Sequence, residues 1–277
     1  MITAALGADG SDSIAVVGGK AARLSVLARD FPVPRGFAIT VAGFKMWQRE
    51  GAQSLPEIVA SELDLALGEV PFPVAVRSSG THEDGSVSSF AGLHETFLNV
   101  RERAGLHEAV LACWRSAGQD RVVDYRMARG LASDGEVAIL VQELIEAQTA
   151  GVAFTANPVT SDVGEILINS AWGLGPSIVD GTVNPDNFLV RKKGLEIIRK
   201  EISDKDVMTV LVLGGTEETN VPAHLRSAPS LTDEQVLEIA EMGLKLERIF
   251  GWPADYEWAI GGDRLWLLQC RPITTLR

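Results

Sequence analysis

Apolar positions recur at helical spacing just after Gly18-Gly19, where Leu24, Leu27, Ala28 and Phe31 fall at i, i+3, i+4 and i+7. Pro32 and Pro34 close that helix. A second helix is predicted over about 106–127, with Leu106, Val110, Cys113 and Trp114 on one face. Between them, residues 73–77 (Pro-Val-Ala-Val-Arg) read as a short strand that opens into a small-residue loop over 78–86. Strands are expected over 137–144, 151–154 and 165–169, a loop over 172–177, and irregular chain over 204–230. The clearest helix starts at Thr232, which forms a capping box with Gln235 and a hydrophobic staple from Leu231 to Val236. Its apolar face is Val236, Ile239, Ala240, Gly243, Leu246 and Phe250, and Gly251 terminates it. The chain closes with a hairpin, 256–260 against 265–271, around Gly261-Gly262-Asp263. The pattern is that of a mixed α/β chain with antiparallel pieces, divided near 141/142 into an N-terminal part, 1–141, and a C-terminal part, 142–277.

The length of 277 residues suits one large domain or two closely associated smaller ones. Lys and Arg number 25 against 37 Asp and Glu, a net charge of −12. That balance argues against a nucleic-acid partner, because phosphate neutralisation needs clustered cations. It leaves room for a small anion held by two or three local ones. No apolar run approaches the ~20 residues that span a bilayer, and the N-terminus lacks the basic-then-apolar pattern of a signal peptide. Cys113 and Cys270 are the only cysteines, and neither has metal-ligand spacing to a Cys or His. A cytoplasmic protein that engages no membrane is the expectation.

Two nucleotide motifs fail when tested. Around Gly19-Lys20 the other positions of a Walker loop are Ile14 and Ala21. At Gly173-Leu174-Gly175 the third glycine of a dinucleotide fingerprint is replaced by Ile178. The closing hairpin is more informative. If its loop is residues 261–263, residue 260 faces 264, so Glu257 opposes Leu267 and lies diagonal to Gln269, within ~5–8 Å. Alternation then puts Gln269 and Arg271 on that face together with Leu265 and Leu267. Such an oxygen pair can bind Mg²⁺ that keeps phosphate oxygens as its other ligands, with the guanidinium beside them; a Glu–Arg salt bridge at a sheet edge is the alternative. Arg77 before a Ser/Gly loop either meets an anion or caps a strand end. Lys20 near the start of a helix either meets a phosphate or is one more exposed lysine. Gln142-Glu143-Leu144-Ile145 alternates polar and apolar groups as an adenine pocket requires, and equally as an ordinary strand end does. His82, His94, His107 and His224 are scattered, without a nucleophile or ligand arrangement.

In order along the chain, Val17-Gly18-Gly19-Lys20, Val33-Pro34-Arg35-Gly36-Phe37, Val76-Arg77-Ser78-Ser79 with Glu83-Asp84, Ser89-Phe90-Ala91-Gly92 and Glu95-Thr96-Phe97-Leu98-Asn99-Val100 form a series. It continues through residues 151–158, Trp172-Gly173-Leu174-Gly175, Glu257-Trp258 and 268–273. This series resembles the ATP-binding domain of the phosphoenolpyruvate synthase and pyruvate phosphate dikinase family, which includes the rifamycin phosphotransferases. The resemblance implies an ATP-grasp fold, two α+β subdomains with ATP in the cleft between them. It implies that Lys20 and Arg77 contact the nucleotide phosphates and that Gly92 and Thr96 belong to the loop covering them. By the same resemblance Gln142, Glu143 and Ile145 form the adenine hinge, Glu257 and Gln269 hold Mg²⁺, and Arg271 clamps phosphate.

The family reaction implied is a dikinase step: the β-phosphoryl group of ATP passes to a histidine on a swivelling domain, leaving AMP and phosphate. None of the four histidines here has the family's Ser-His-Ala-like or Cys-His-Ala-like setting. The expectation is therefore a phosphoryl donor that needs a histidine-bearing protein, or further C-terminal domains, and an acceptor whose identity these residues do not set. A direct kinase of a small molecule such as an antibiotic, and a non-catalytic ATP-binding module, are the other readings. Leu93 and Pro176 stand where the family favours Gln and Glu.

Overall fold

A computed structural model of the chain describes residues 1–51, 53–81, 96–117, 135–274 and 276. They form two compact units, Met1–Leu144 and Ile145–Arg277.

The first unit is built on an antiparallel sheet of order β1-β2-β5-β3-β4, with β1 Thr3–Ala5, β2 Gly36–Ile39, β3 Val74–Gly80, β4 Thr96–Val100 and β5 Val137–Glu143. Its helices are α1 Ile14–Leu27, α2 Val41–Arg49, α3 Glu57–Leu67 and α4 Arg103–Ser116. Strand alternation divides the side chains between two faces. Val74 and Val76 of β3 and Ile139 and Val141 of β5 join Trp47, Leu63 and Trp114 in one core cluster. On the opposite face, Ala38 and Leu140 pack with Val17, Ala21 and Leu24 of α1. Because β5 is covered on both faces, it reads as the continuous apolar run Val-Ala-Ile-Leu-Val.

Several boundaries differ from the sequence pattern. Helix α1 begins at Ile14, before the Gly-Gly pair, and ends at Leu27, so Phe31 lies in the following turn. The small residues Ser78-Ser79-Gly80, expected in a loop, continue β3 because Ile139, Ala138 and Val137 of β5 pair with them. Helix α4 ends at Ser116, and the remainder of the predicted 106–127 helix, from 118 on, lies outside the described residues, as does 82–86 of the expected loop.

The second unit holds a six-stranded antiparallel sheet of order β13-β12-β6-β7-β8-β9 and a separate hairpin, β10-β11. The strands are β6 Thr149–Phe154, β7 Glu165–Trp172, β8 Asp186–Arg191, β9 Glu196–Glu201, β10 Val207–Val212, β11 Gly215–Asn220, β12 Ala254–Gly261 and β13 Arg264–Pro272. Its helices are α5 Pro176–Val179, α6 Ala223–Arg226 and α7 Asp233–Phe250. The expected irregular stretch 204–230 thus contains a hairpin and a short helix. Its second strand, Gly-Thr-Glu-Glu-Thr-Asn, is largely exposed and so carries no apolar alternation to read. The predicted 172–177 loop is likewise divided between the end of β7 and α5, with Pro176 at the first helical turn.

Helix α7 has the expected capping box, with Gln235 N donating to Thr232 Oγ1 and Thr232 N donating to Gln235 Oε1. Gly251 ends it at φ 74°. Gly243 lies so near β12 that a Cβ there would stand 2.7 Å from the Tyr256 hydroxyl. That hydroxyl donates to the Ile239 carbonyl at 2.7 Å, and burial pushes the phenol well above its ordinary pKa, keeping it protonated as a donor.

The units meet in sequence at Leu144/Ile145, three residues beyond the expected 141/142 line. Gln142 and Glu143 remain in β5, paired with Gly36 and Val74, and therefore belong to the first unit's sheet. Among the described residues no helix is long and apolar enough to cross a membrane.

One ion pair of the second unit is wholly buried. Lys205 Nζ meets Asp186 Oδ1 at 2.6 Å and donates to the Ser203 carbonyl, both side chains being fully inaccessible. Asp186 also accepts from Ser203 N, Ser230 N and Ser230 Oγ, so the desolvated carboxylate has four donors. Lys205→Met should cost about 3–5 kcal/mol by stranding that carboxylate, read as a fall in the urea midpoint of unfolding.

Candidate functional site

In the first unit the candidate cations lie on β3 and α1. Arg77 sits on β3 between Thr96 of β4 and Leu140 of β5, so Arg77 and Thr96 are cross-strand neighbours on one face. Ser79, two residues on, faces the same way. Helix α1 is broken at Gly18, whose φ of 74° and ψ of 171° are not helical. A Cβ at Gly18 would stand 1.9 Å from the Ser79 carbonyl oxygen, so only glycine permits this approach of helix to strand. Lys20 follows in the first turn of the restarted helix.

The second unit supplies an acid, an amide and a cation from its closing hairpin. Here the sequence-based register is corrected. The loop is the two residues Gly262-Asp263, because Gly261 pairs with Arg264 and Ile260 with Leu265. A bulge then inserts Leu268 between the pairs Trp258–Leu267 and Glu257–Gln269. Glu257 is therefore directly opposite Gln269, not opposite Leu267 and diagonal to Gln269. Since paired residues share a face, Leu265 and Leu267 lie with Trp258 and Ile260 on the buried face. Gln269 and Arg271 lie with Glu257 and Asp255 on the other. The expected face of leucines beside the polar groups does not form, because one added residue reverses the phase of the strand.

The same row of the sheet continues across neighbouring strands as Glu257, Val152 of β6, Asn169 of β7 and Asn187 of β8. Asn169 Nδ2 donates to Asn187 Oδ1. In the adjacent row Arg271 Nε donates to Asp255 Oδ2 at 2.9 Å, fixing the guanidinium beside the Glu257–Gln269 pair. Asp255, Asn169 and Asn187 were not singled out from the sequence. The signal for Asp255 is its place two residues before Glu257 on the same strand face; the asparagines carry no signal until their strands are paired. Among the described residues no group of three or more His, Cys, Asp or Glu side chains clusters as a metal cage.

The residues expected along the adenine are more constrained than the sequence suggests. The Gln142 carboxamide is buried and donates to the Pro34 carbonyl at 3.3 Å, while Glu143 forms an ion pair with Arg35 at 3.3 Å. Their side chains thus have partners within the first unit. Ile145 opens the second unit, against Gly261, where a Cβ would stand 2.7 Å from Ile145 Cγ2. Gly92 lies outside the described residues.

A pair of candidate phosphate-binding cations in one α+β unit, and an acid–amide pair with a fixed guanidinium in the other, are the equipment of a nucleotide-handling domain. The chain belongs to the family of the pyruvate phosphate dikinase AMP/ATP-binding domain, which matches residues 52–277. It is 40% identical to a probable phosphoenolpyruvate synthase of Methanocaldococcus jannaschii over 212 residues, 76% of this chain and 18% of that protein. It is 41% identical to the phosphoenolpyruvate synthase of Pyrococcus furiosus over 226 residues, 78% of this chain and 28% of that protein. With the rifampicin phosphotransferase of Streptomyces sviceus the identity is 33% over 305 residues, 95% of this chain and 35% of that protein. The chain thus spans well under half the length of each of these three relatives. A more distant similarity joins it to the D-alanine–D-alanine ligase of Helicobacter pylori, with a TM-score of 0.38, 13% identity, and coverage of 94% of this chain and 58% of that one.

The break in α1 yields a paired prediction. Gly18 and Gly10 both have positive φ, 74° and 81°, but a Cβ at Gly10 would meet nothing within 4 Å. Gly10→Ala should cost only the ~1–2 kcal/mol of the left-handed conformation. Gly18→Ala adds the collision with β3 and should cost clearly more, by chemical denaturation of the two variants side by side.

Proposed function

We propose that this chain is the ATP-binding, phosphoryl-donating component of a dikinase-type phosphotransferase of the phosphoenolpyruvate synthase kind. The observation that carries the reading is the direct opposition of Glu257 and Gln269 on the sheet face opposite Trp258 and Leu267, with Arg271 held in the next row by Asp255. A carboxylate and a carboxamide facing each other are hard oxygen donors of the sort Mg²⁺ takes, in the small number that leaves its other positions for water and phosphate oxygens. Glu257 and Gln269 would hold that ion, and it supplies charge neutralisation on the triphosphate when bound. Arg271, Lys20 and Arg77 bind phosphate oxygens and offset the charge that develops as the phosphoryl group departs. Thr96 and Gly92 belong to the segment that covers the phosphates, and 142–145 lies along the adenine. The work of these residues is positioning and electrostatics. The β-phosphoryl group goes to a histidine supplied by another domain or chain as the α–β bond breaks to leave AMP, and water takes the γ-phosphoryl group to give inorganic phosphate.

The test is a product assay with Mg²⁺ and ATP labelled in the β-phosphate, run with and without a histidine-bearing domain from a longer relative. AMP formed only with that domain, label on its histidine, and loss of both with EDTA are expected. Glu257→Ala should lower the rate by about 100-fold or more. ADP with a labelled small molecule would replace this reading with direct kinase action, and tight ATP binding without products under any condition would leave a binding module.

A further inference from the structure

Ser79 is fully buried in β3 and reaches back about sixty residues to α1. Its Oγ donates to the Val17 carbonyl at 2.8 Å and accepts from the Ala21 amide at 3.2 Å. Those two groups flank the break at Gly18. Because the helical ladder is interrupted there, the segment from Gly19 onward begins with first-turn N–H groups that have no helical carbonyl to meet. A helix start is ordinarily capped by the side chain of the residue before it. Gly18 has none, and Ser79 supplies the missing oxygen from the neighbouring strand. An unbroken α1 would satisfy the same backbone groups without Ser79 and without two glycines, each of which costs about 1 kcal/mol in a helix. The chain keeps the break, and Lys20 stands two residues after it. The strand that mends it carries Arg77 on the same face as Ser79.

We infer that Ser79 is a positioning residue for phosphate binding, whose hydroxyl fixes the turn bearing Lys20 to the strand bearing Arg77. This rests on the reading of Lys20 as a phosphate contact. A hydroxyl serving only the core would contribute to stability and act equally on every ligand of the site. A hydroxyl that sets the relation of two cations acts on ligands in proportion to the phosphates they carry.

The experiment is calorimetric titration of the full chain with MgATP, MgADP, AMP and adenosine, for wild type, Ser79→Ala, Ser79→Thr, Lys20→Met and the Ser79→Ala/Lys20→Met double variant. Ser79→Ala should weaken ATP about fivefold to tenfold, the size of one buried hydrogen bond, and leave adenosine within twofold. Ser79→Thr, which keeps the hydroxyl, should recover most of the loss. The double variant should bind ATP no more weakly than Lys20→Met alone, since the serine acts through the lysine. Equal losses for ATP and adenosine, no loss at all, or additive losses in the double variant would overturn the inference. If Lys20→Met itself leaves ATP affinity unchanged, the phosphate reading of Lys20 fails, and the role of Ser79 falls with it. Normal loss in Lys20→Met with none in Ser79→Ala defeats the serine alone. Should Ser79→Ala not fold, amide exchange in the wild type decides: MgATP should slow the Ala21 amide more than adenosine does, and equal slowing by the two counts against the inference.

Discussion

Side chains on a strand alternate between faces, so two paired strands keep one phase unless a residue is added to one of them. Leu268 is such an addition in the closing hairpin. On the turn side of it, Leu265 and Leu267 lie with Trp258 and Ile260 in the apolar interior. On the far side, Gln269 and Arg271 share the opposite face with Glu257 and Asp255. Without the bulge, Gln269 and Arg271 would fall on the face of Trp258 and Ile260, where Arg271 would lose its Asp255 partner, and an uncompensated buried charge is costly. The apolar face of the sheet and its polar row are therefore both supplied by one strand because of a single local irregularity.

The first unit solves a comparable problem by breaking a helix. The Ala21 N–H and the Val17 carbonyl on either side of Gly18 are secured by a strand hydroxyl, and the close approach is possible only because a Cβ is missing. Local cation placement of this kind would reconcile a net charge of −12 with the polyphosphate ligand proposed above. Binding a small anion requires a few fixed positive groups, whereas binding a long polyanion requires many.

The second unit also carries its own anchor. Asp186 and Lys205 tie β8 to the segment that follows β9 and to Ser230 just ahead of α7, with each buried polar atom matched. Asn187, next to Asp186, points to the opposite face by alternation and accepts from Asn169. A satisfied network on one side of the sheet thereby sets the strand that carries the polar row on the other.

Local rules were enough for the elements whose signals are local. The capping box and glycine stop of α7, the apolar run of β5 and the closing hairpin could all be read directly, and the ordered motifs led to the family that the comparisons establish. They also named Lys20, Arg77, Glu257, Gln269 and Arg271 as candidates. The helical origin of α1 before Gly18, the β10–β11 hairpin and the extension of β3 through Ser78-Ser79-Gly80 were not legible, because exposed or small-residue strands carry no apolar period and take their conformation from partners distant in sequence. The phase reversal at Leu268, the Arg271–Asp255 pair and the hydroxyl bridge from Ser79 belong to tertiary structure alone. The Ser79 bridge joins residues about sixty apart and the other two lie within one hairpin, and in each case register and close approach are settled only when whole strands and helices have paired. The sequence by itself determined which chemistry the chain carries; the folded structure decided which of those groups face one another.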